Sequence, residues 1–120
     1  MKKKLAILGS TGSIGVSTLQ VAAQFPDRFE VVSLAAQRNI DRLEAQIRQF
    51  HPQIVSVADE ARAQVLRARC ADVPVEIYAG EAGAIQVATH PAADLVVSAI
   101  VGFAGLAPTY QAILAHKDLA

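Results

Sequence analysis

Seven consecutive residues, Gly9-Ser10-Thr11-Gly12-Ser13-Ile14-Gly15, place a glycine at every third position, and the chemistry open to them is the binding of phosphate. Glycine closing a strand accepts the positive φ of a tight reversal, and a residue without Cβ lets backbone amides approach an anion closely. In a helix that follows, the first N–H groups have no internal partner. They lie at the positive end of the helix dipole, where an anionic pyrophosphate is held. Thr11 and Ser13 add hydroxyl donors. The third glycine, one turn into that helix, lets it lie close against the sheet. The spacing is Gly-x-x-Gly-x-x-Gly and not the Gly-x-Gly-x-x-Gly of the commonest dehydrogenases. The competing reading is a strand-to-helix turn in which glycine merely relieves strain.

The flanking elements favour the phosphate reading. Leu5-Ala6-Ile7-Leu8 is an apolar run suited to a buried strand, and Ile14, Thr18, Val21, Ala22 and Phe25 then recur at helical spacing until Pro26. Phe29-Glu30-Val31-Val32-Ser33-Leu34-Ala35-Ala36 reads as a second strand. Strand, helix and strand within about thirty residues is the size of a βαβ unit, whose crossover is right-handed. No Asp or Glu closes this second strand, where NAD-binding folds carry the carboxylate that accepts hydrogen bonds from the adenosine ribose. The strand runs instead into Gln37-Arg38-Asn39. A guanidinium there faces a 2′-phosphate and stacks on adenine, so NADP is preferred over NAD. Against this stands the plainer reading of Arg38 as a solvated loop charge and Asn39 as an N-cap, for which Asn is well suited.

Further on, Ile40, Leu43, Ile47 and Phe50 trace one helical face that ends at His51-Pro52, and Ile54-Val55-Ser56-Val57 reads as a third strand. A helix from Asp59 is expected to face Ala61, Val65 and Ala68 inward, with Arg62, Arg67 and Arg69 as a solvated face. Val75-Glu76-Ile77-Tyr78 reads as a fourth strand, residues 81–88 as a short helix weakened by Gly83, and Asp94-Leu95-Val96-Val97-Ser98-Ala99 as a fifth strand, continuous in its hydrophobicity as a buried parallel strand is. Ligands of open α/β sheets bind outside the carboxyl ends of the strands, near the reversal of strand order. The loop Ile100-Val101-Gly102-Phe103-Ala104-Gly105 therefore belongs near Gly12, with Ala99 and Ile100 as further cofactor contacts or as a plain link to the next helix. Pro108 leads that helix through Tyr110, Ile113 and Leu114. Leu119-Ala120 looks like the start of a sixth strand, from which the chain is expected to be a piece of a longer protein. The fold class expected is α/β, a Rossmann-like doubly wound, mostly parallel sheet with helices on both faces, in one domain over residues 1–120.

Composition narrows the function. The 120 residues are 52% hydrophobic and 18% charged, with eleven basic against eleven acidic side chains; disorder is excluded, and no clustered positive face points to nucleic acid. Lys2-Lys3-Lys4 precedes too few apolar residues for a signal peptide, and no stretch reaches the length of a membrane span. Cys70 is alone, which points to a reducing cytosol and to a plain core or surface thiol. His51, His90 and His116 lack metal-ligand spacing and read as turn or surface residues. Neither a nucleophile elbow nor a Walker lysine nor a Cys-x-x-Cys occurs. The domain is expected to hold a cofactor, with no catalytic or metal-binding residue among its own.

Three stretches together, Leu5 through Gly15, the Arg38-Asn39 pair, and Ser98-Ala99-Ile100-Val101-Gly102-Phe103-Ala104-Gly105-Leu106-Ala107-Pro108-Thr109, resemble the amino-terminal domain of the 1-deoxy-D-xylulose 5-phosphate reductoisomerases over essentially the whole chain. The resemblance implies NADPH, a divalent metal such as magnesium or manganese in the full-length enzyme, a sugar-phosphate substrate, and a homodimeric cytoplasmic protein of the non-mevalonate isoprenoid pathway. Substrate would be rearranged to an aldehyde that NADPH reduces to 2-C-methyl-D-erythritol 4-phosphate. By position, Thr11, Gly12, Ser13 and Ile14 match the family's pyrophosphate-side contacts, and Gln37, Arg38 and Asn39 its adenosine-phosphate loop. Gln37 stands where the family commonly has glycine. The family's Asn-Lys-Glu segment, metal-binding acids and flap would follow Ala120, so no catalytic or metal residue carries over. The alternatives are another Rossmann reductase, such as a semialdehyde dehydrogenase, or a non-catalytic nucleotide-sensing module.

Overall fold

Central strands that are apolar on both faces must be covered above and below, and the chain meets that requirement with helices on each side of one sheet. The computed structural model describes residues 2–100 and 106–120. Along the chain run β1 (Lys3–Leu8), α1 (Ser13–Gln24), β2 (Phe29–Ala35), α2 (Ile40–Phe50), β3 (Ile54–Val57), α3 (Glu60–Arg69), β4 (Glu76–Ala79), α4 (Gly80–Ala88), β5 (Leu95–Ser98), α5 (Leu106–Leu114) and β6 (Asp118–Leu119). The six strands are ordered β4-β3-β2-β1-β5-β6, and every pairing is parallel. Strand order reverses between β1 and β5, which is the switch point of a doubly wound sheet.

Alternation along β1 divides the core. Leu5 and Ile7 pack with Leu19, Leu43, Ile47, Ala63 and Leu66, on the side of α1, α2 and α3. Ala6 and Leu8 pack with Ala84, Val87, Ala88 and Ala112, on the side of α4 and α5. A register shift opposite Leu5 and Ala6 leaves Val32 as an extra residue in β2, after which Ser33 turns to the second side. There its hydroxyl donates to the Val87 carbonyl at 2.9 Å, tying the sheet to α4.

Two expected helix faces are corrected. In α1 the buried residues are Gly15, Leu19 and Ala22, whereas Ile14, Val21 and Phe25 are exposed. Apolar residues occur all round this helix, so spacing alone did not single out the stripe that meets the sheet. In α3 the inward residues are Ala63, Leu66 and, at its end, Cys70. Ala61, Val65 and Ala68 face outward, because the larger Leu66 takes the place against β3 and β4. Arg67 and Arg69 are more than a solvated face: Arg67 donates to the Ile77 carbonyl at 2.6 Å, and Arg69 pairs with Asp41 of α2 at 2.5 Å. Gly83 is required where weakness was expected, since a Cβ there would lie 2.9 Å from that of Tyr78 and 3.0 Å from that of Ser56. α4 rests on the sheet at that point. The sixth strand pairs beside β5, with Leu95 opposite Asp118 and Val96 opposite Leu119. Pro108 lies buried in the first turn of α5. Residues 101–105 of the expected cofactor-side loop lie outside the described residues.

Candidate functional site

The three glycines of the loop after β1 do three different things. Gly9 has φ +83°, and a Cβ there would lie 2.8 Å from the Ala99 carbonyl oxygen, so both backbone and space require glycine. Gly15 tolerates no Cβ either, which would collide with the Gly9 carbonyl and the Ser10 backbone. The third glycine thus brings α1 against the loop itself. Gly12, the N-cap of α1, is different: its φ of −80° suits any residue, and a Cβ would meet only the Gly9 oxygen at an ordinary 3.6 Å. Nothing among the described residues demands glycine at position 12, and the space they leave in front of it is open.

That open space has the donors an anion needs. Gly12 makes no side-chain cap bond, Val16 is the first residue whose N–H turns back into the helix, onto the Gly12 carbonyl, and Gly12, Ser13 and Ile14 are exposed. Among the described residues, the Thr11 N–H and the first N–H groups of α1 have no acceptor. The mouth of α1 is left unsealed by the described residues and points its positive end outward.

Sheet register brings the other expected residues to the same edge. Leu8 pairs with Ala35 on one side and with Ser98 on the other, so the loops leaving β1, β2 and β5 emerge side by side. Gly9 and Ser10 both donate to the Ala35 carbonyl, at 2.8 and 3.0 Å. Ala99 donates to Leu8 at 2.8 Å, and Ile100 lies against Gly9. Gln37, Arg38 and Asn39, exposed, follow β2. Asn39 caps α2 by accepting from the Arg42 N–H at 3.0 Å. Gln37 has no left-handed backbone, so glycine is not required there, and its carbonyl accepts from Ala58 at 2.9 Å. Beside it a cavity of about 190 Å³ is lined by Gln37, Ser56, Ala58, Gly80 and Glu81.

Two residues at this edge, Arg42 and Gln46, escaped sequence reasoning. Arg42 donates from its guanidinium to the Thr11 carbonyl at 3.3 Å, and Gln46 from its amide to the Ser10 carbonyl at 2.8 Å. Ser10, within the loop, is wholly buried. Asp59, the N-cap of α3, lies within reach of the Arg38 charge. The Arg62 backbone N–H holds the Asp59 carboxyl below its ordinary range against the opposing effect of burial, and the Arg62 and Arg38 guanidinium charges add to this. The available signal was Gln46 within the arc of Leu43 and Ile47, a polar residue where an apolar one was due.

No three His, Cys, Asp or Glu converge on a metal site among the described residues. His51 and His116 sit at left-handed turns. His90 accepts from the Ala92 N–H at 3.1 Å, and burial, with the nearby Lys117 charge, keeps it below its ordinary value. Burial pushes the Cys70 thiol up, away from nucleophile chemistry. No helix among the described residues is long and apolar enough to cross a membrane.

Comparison with known proteins places this geometry. A family model described as 1-deoxy-D-xylulose 5-phosphate reductoisomerase matches residues 5–120. Curated proteins of that name from Thermosynechococcus vestitus and Anaeromyxobacter sp. (strain K) are 56% and 57% identical, each over 98% of this chain. The chain spans about 30% of the length of these relatives. A crystal structure of DOX-P reductoisomerase in complex with NADPH, fosmidomycin and magnesium superposes with a TM-score of 0.93 at 38% identity, covering 98% of this chain and 29% of that one. The enzyme from Zymomonas mobilis in complex with NADPH gives 0.94 at 33% identity, covering 100% and 31%.

Proposed function

The chain belongs to the 1-deoxy-D-xylulose 5-phosphate reductoisomerase family, and from that premise we propose that it is the NADPH-binding part of an enzyme that isomerises and reduces 1-deoxy-D-xylulose 5-phosphate to 2-C-methyl-D-erythritol 4-phosphate. One observation carries the cofactor assignment: a helix mouth at Gly12 that the described residues leave unsealed, and whose glycine no contact among them explains, opens on the same sheet edge as the loop of Arg38. Thr11, Gly12, Ser13 and Ile14 hold the pyrophosphate. Gln37, Arg38 and Asn39 hold the adenosine with its 2′-phosphate, and Ala99 and Ile100 wall the crevice beside Gly9. NADPH, when bound, supplies the hydride that reduces the aldehyde formed from the substrate. The residues of this chain bind and orient it; they move no proton.

The same reading makes the whole enzyme a cytoplasmic homodimer that uses magnesium or manganese, with metal and sugar phosphate held by groups other than the described residues. A lone, buried thiol suits a reducing compartment, and light scattering on the whole enzyme reads the dimer. The cofactor assignment is tested by thermal shift: NADPH raises the Tm of this chain more than NADH does, and Arg38→Glu erases the difference. Equal protection of the wild type by both nucleotides would remove the role given to Arg38.

A further inference from the structure

Gln46 stands in the middle of α2 with 7% of its surface exposed, and a side-chain amide so placed must have partners to balance its desolvation. Its Nε2 donates to the carbonyl of Ser10, a residue with no exposed surface. The peptide joining Ser10 to Thr11 is trans and planar, so its C=O and N–H point in opposite directions. Holding the oxygen toward α2 therefore aims the Thr11 N–H away from it. Among the described residues that N–H has no acceptor. The next peptide is held in the same way: Arg42, one helical turn before Gln46, donates to the Thr11 carbonyl, and the Gly12 N–H turns to Gly9 at 3.2 Å.

Two buried side-chain atoms lack a partner among the described residues, Ser10 Oγ and Gln46 Oε1. They belong to the same two residues and are complementary, a rotatable hydroxyl donor and an amide acceptor. Interchanging the amide atoms of Gln46 would set oxygen against the Ser10 carbonyl, so the orientation that donates is the one chemistry permits. Asn39 caps this same helix immediately after Arg38. One rigid element thus carries the 2′-phosphate reader at its start and the clamp on the pyrophosphate loop in its interior.

We propose that Gln46 is a positioning residue for the cofactor: its amide fixes the Ser10–Thr11 peptide so that the Thr11 N–H faces the pyrophosphate. The proposal rests on the NADPH reading above. Its test uses Gln46→Met, of similar length with no donor, and Gln46→Glu, of the same shape with no donor when ionised, with NADPH and NADH titrated calorimetrically into this chain. Both nucleotides share the pyrophosphate, so each folded variant is expected to weaken both by about tenfold, the loss of one buried hydrogen bond, while the NADPH-to-NADH ratio stays at its wild-type value. Unchanged affinity in a folded variant would overturn the proposal. So would a collapsed ratio, which signals that α2 has shifted and taken Arg38 with it, or failure of both variants to fold, which makes Gln46 a support of the helix alone. A wild type that binds neither nucleotide refutes the cofactor reading itself, and the positioning role falls with it.

Discussion

Gly12 and Gly15 carry the same side chain three residues apart, and their surroundings assign them opposite jobs. A methyl group at Gly15 meets backbone, which cannot swing aside; Gly15→Ala is expected to cost about 3 kcal/mol or to abolish folding, read by chemical denaturation. At Gly12 the same methyl fits the chain, and Gly12→Ala is expected to cost about 1 kcal/mol or less. Its added Cβ stands where the pyrophosphate is to lie, so protection by NADPH should vanish although the fold persists. Retained protection in Gly12→Ala would mean that the anion sits elsewhere.

Helices here are positioned by a few large side chains more than by the count of apolar ones. α3 shows this: Leu66 is fully buried and its neighbour Val65 is 44% exposed. Leu66→Ala is expected to cost about 2–5 kcal/mol, and Val65→Ala to stay within about 0.5 kcal/mol, both measurable by urea unfolding. Equal costs would restore the Ala61, Val65 and Ala68 face. At the surface Arg48 of α2 forks onto Asp72, in the turn that follows α3, at 2.9 and 3.1 Å. The bond and the guanidinium charge hold the Asp72 carboxyl below its ordinary range. Such exposed pairs fix geometry more than they add stability.

At the scale of the molecule, what matters is that strands distant in sequence end at one edge. Because β1 lies between β2 and β5, a single nucleotide laid across that edge touches all three loops. Hydrogen exchange followed by NMR is expected to show NADPH protecting amides of residues 9–15, 37–39 and 99–100 together. Protection confined to the loop after β1 would rule out a crevice shared by the three strand ends.

Much of this was legible in residue types. A glycine loop between an apolar strand and a helix, an Asn suited to capping, and β-rich runs at crossover spacing report backbone needs that are local, and local needs are written where they act; Gly9 at positive φ and Asn39 as a cap are instances. Which side of α1 or α3 meets the sheet was not written in this way, since apolar residues surround α1 and alanines surround α3. Only packing against a particular strand selects Leu19 over Val21 and Leu66 over Val65. The meetings of Gln46 with Ser10 and of Ala99 with Gly9 likewise wait on the strand order. Residues remote along the chain become neighbours through hydrogen bonds between strands, and no periodicity within one segment encodes which strand lies next to which.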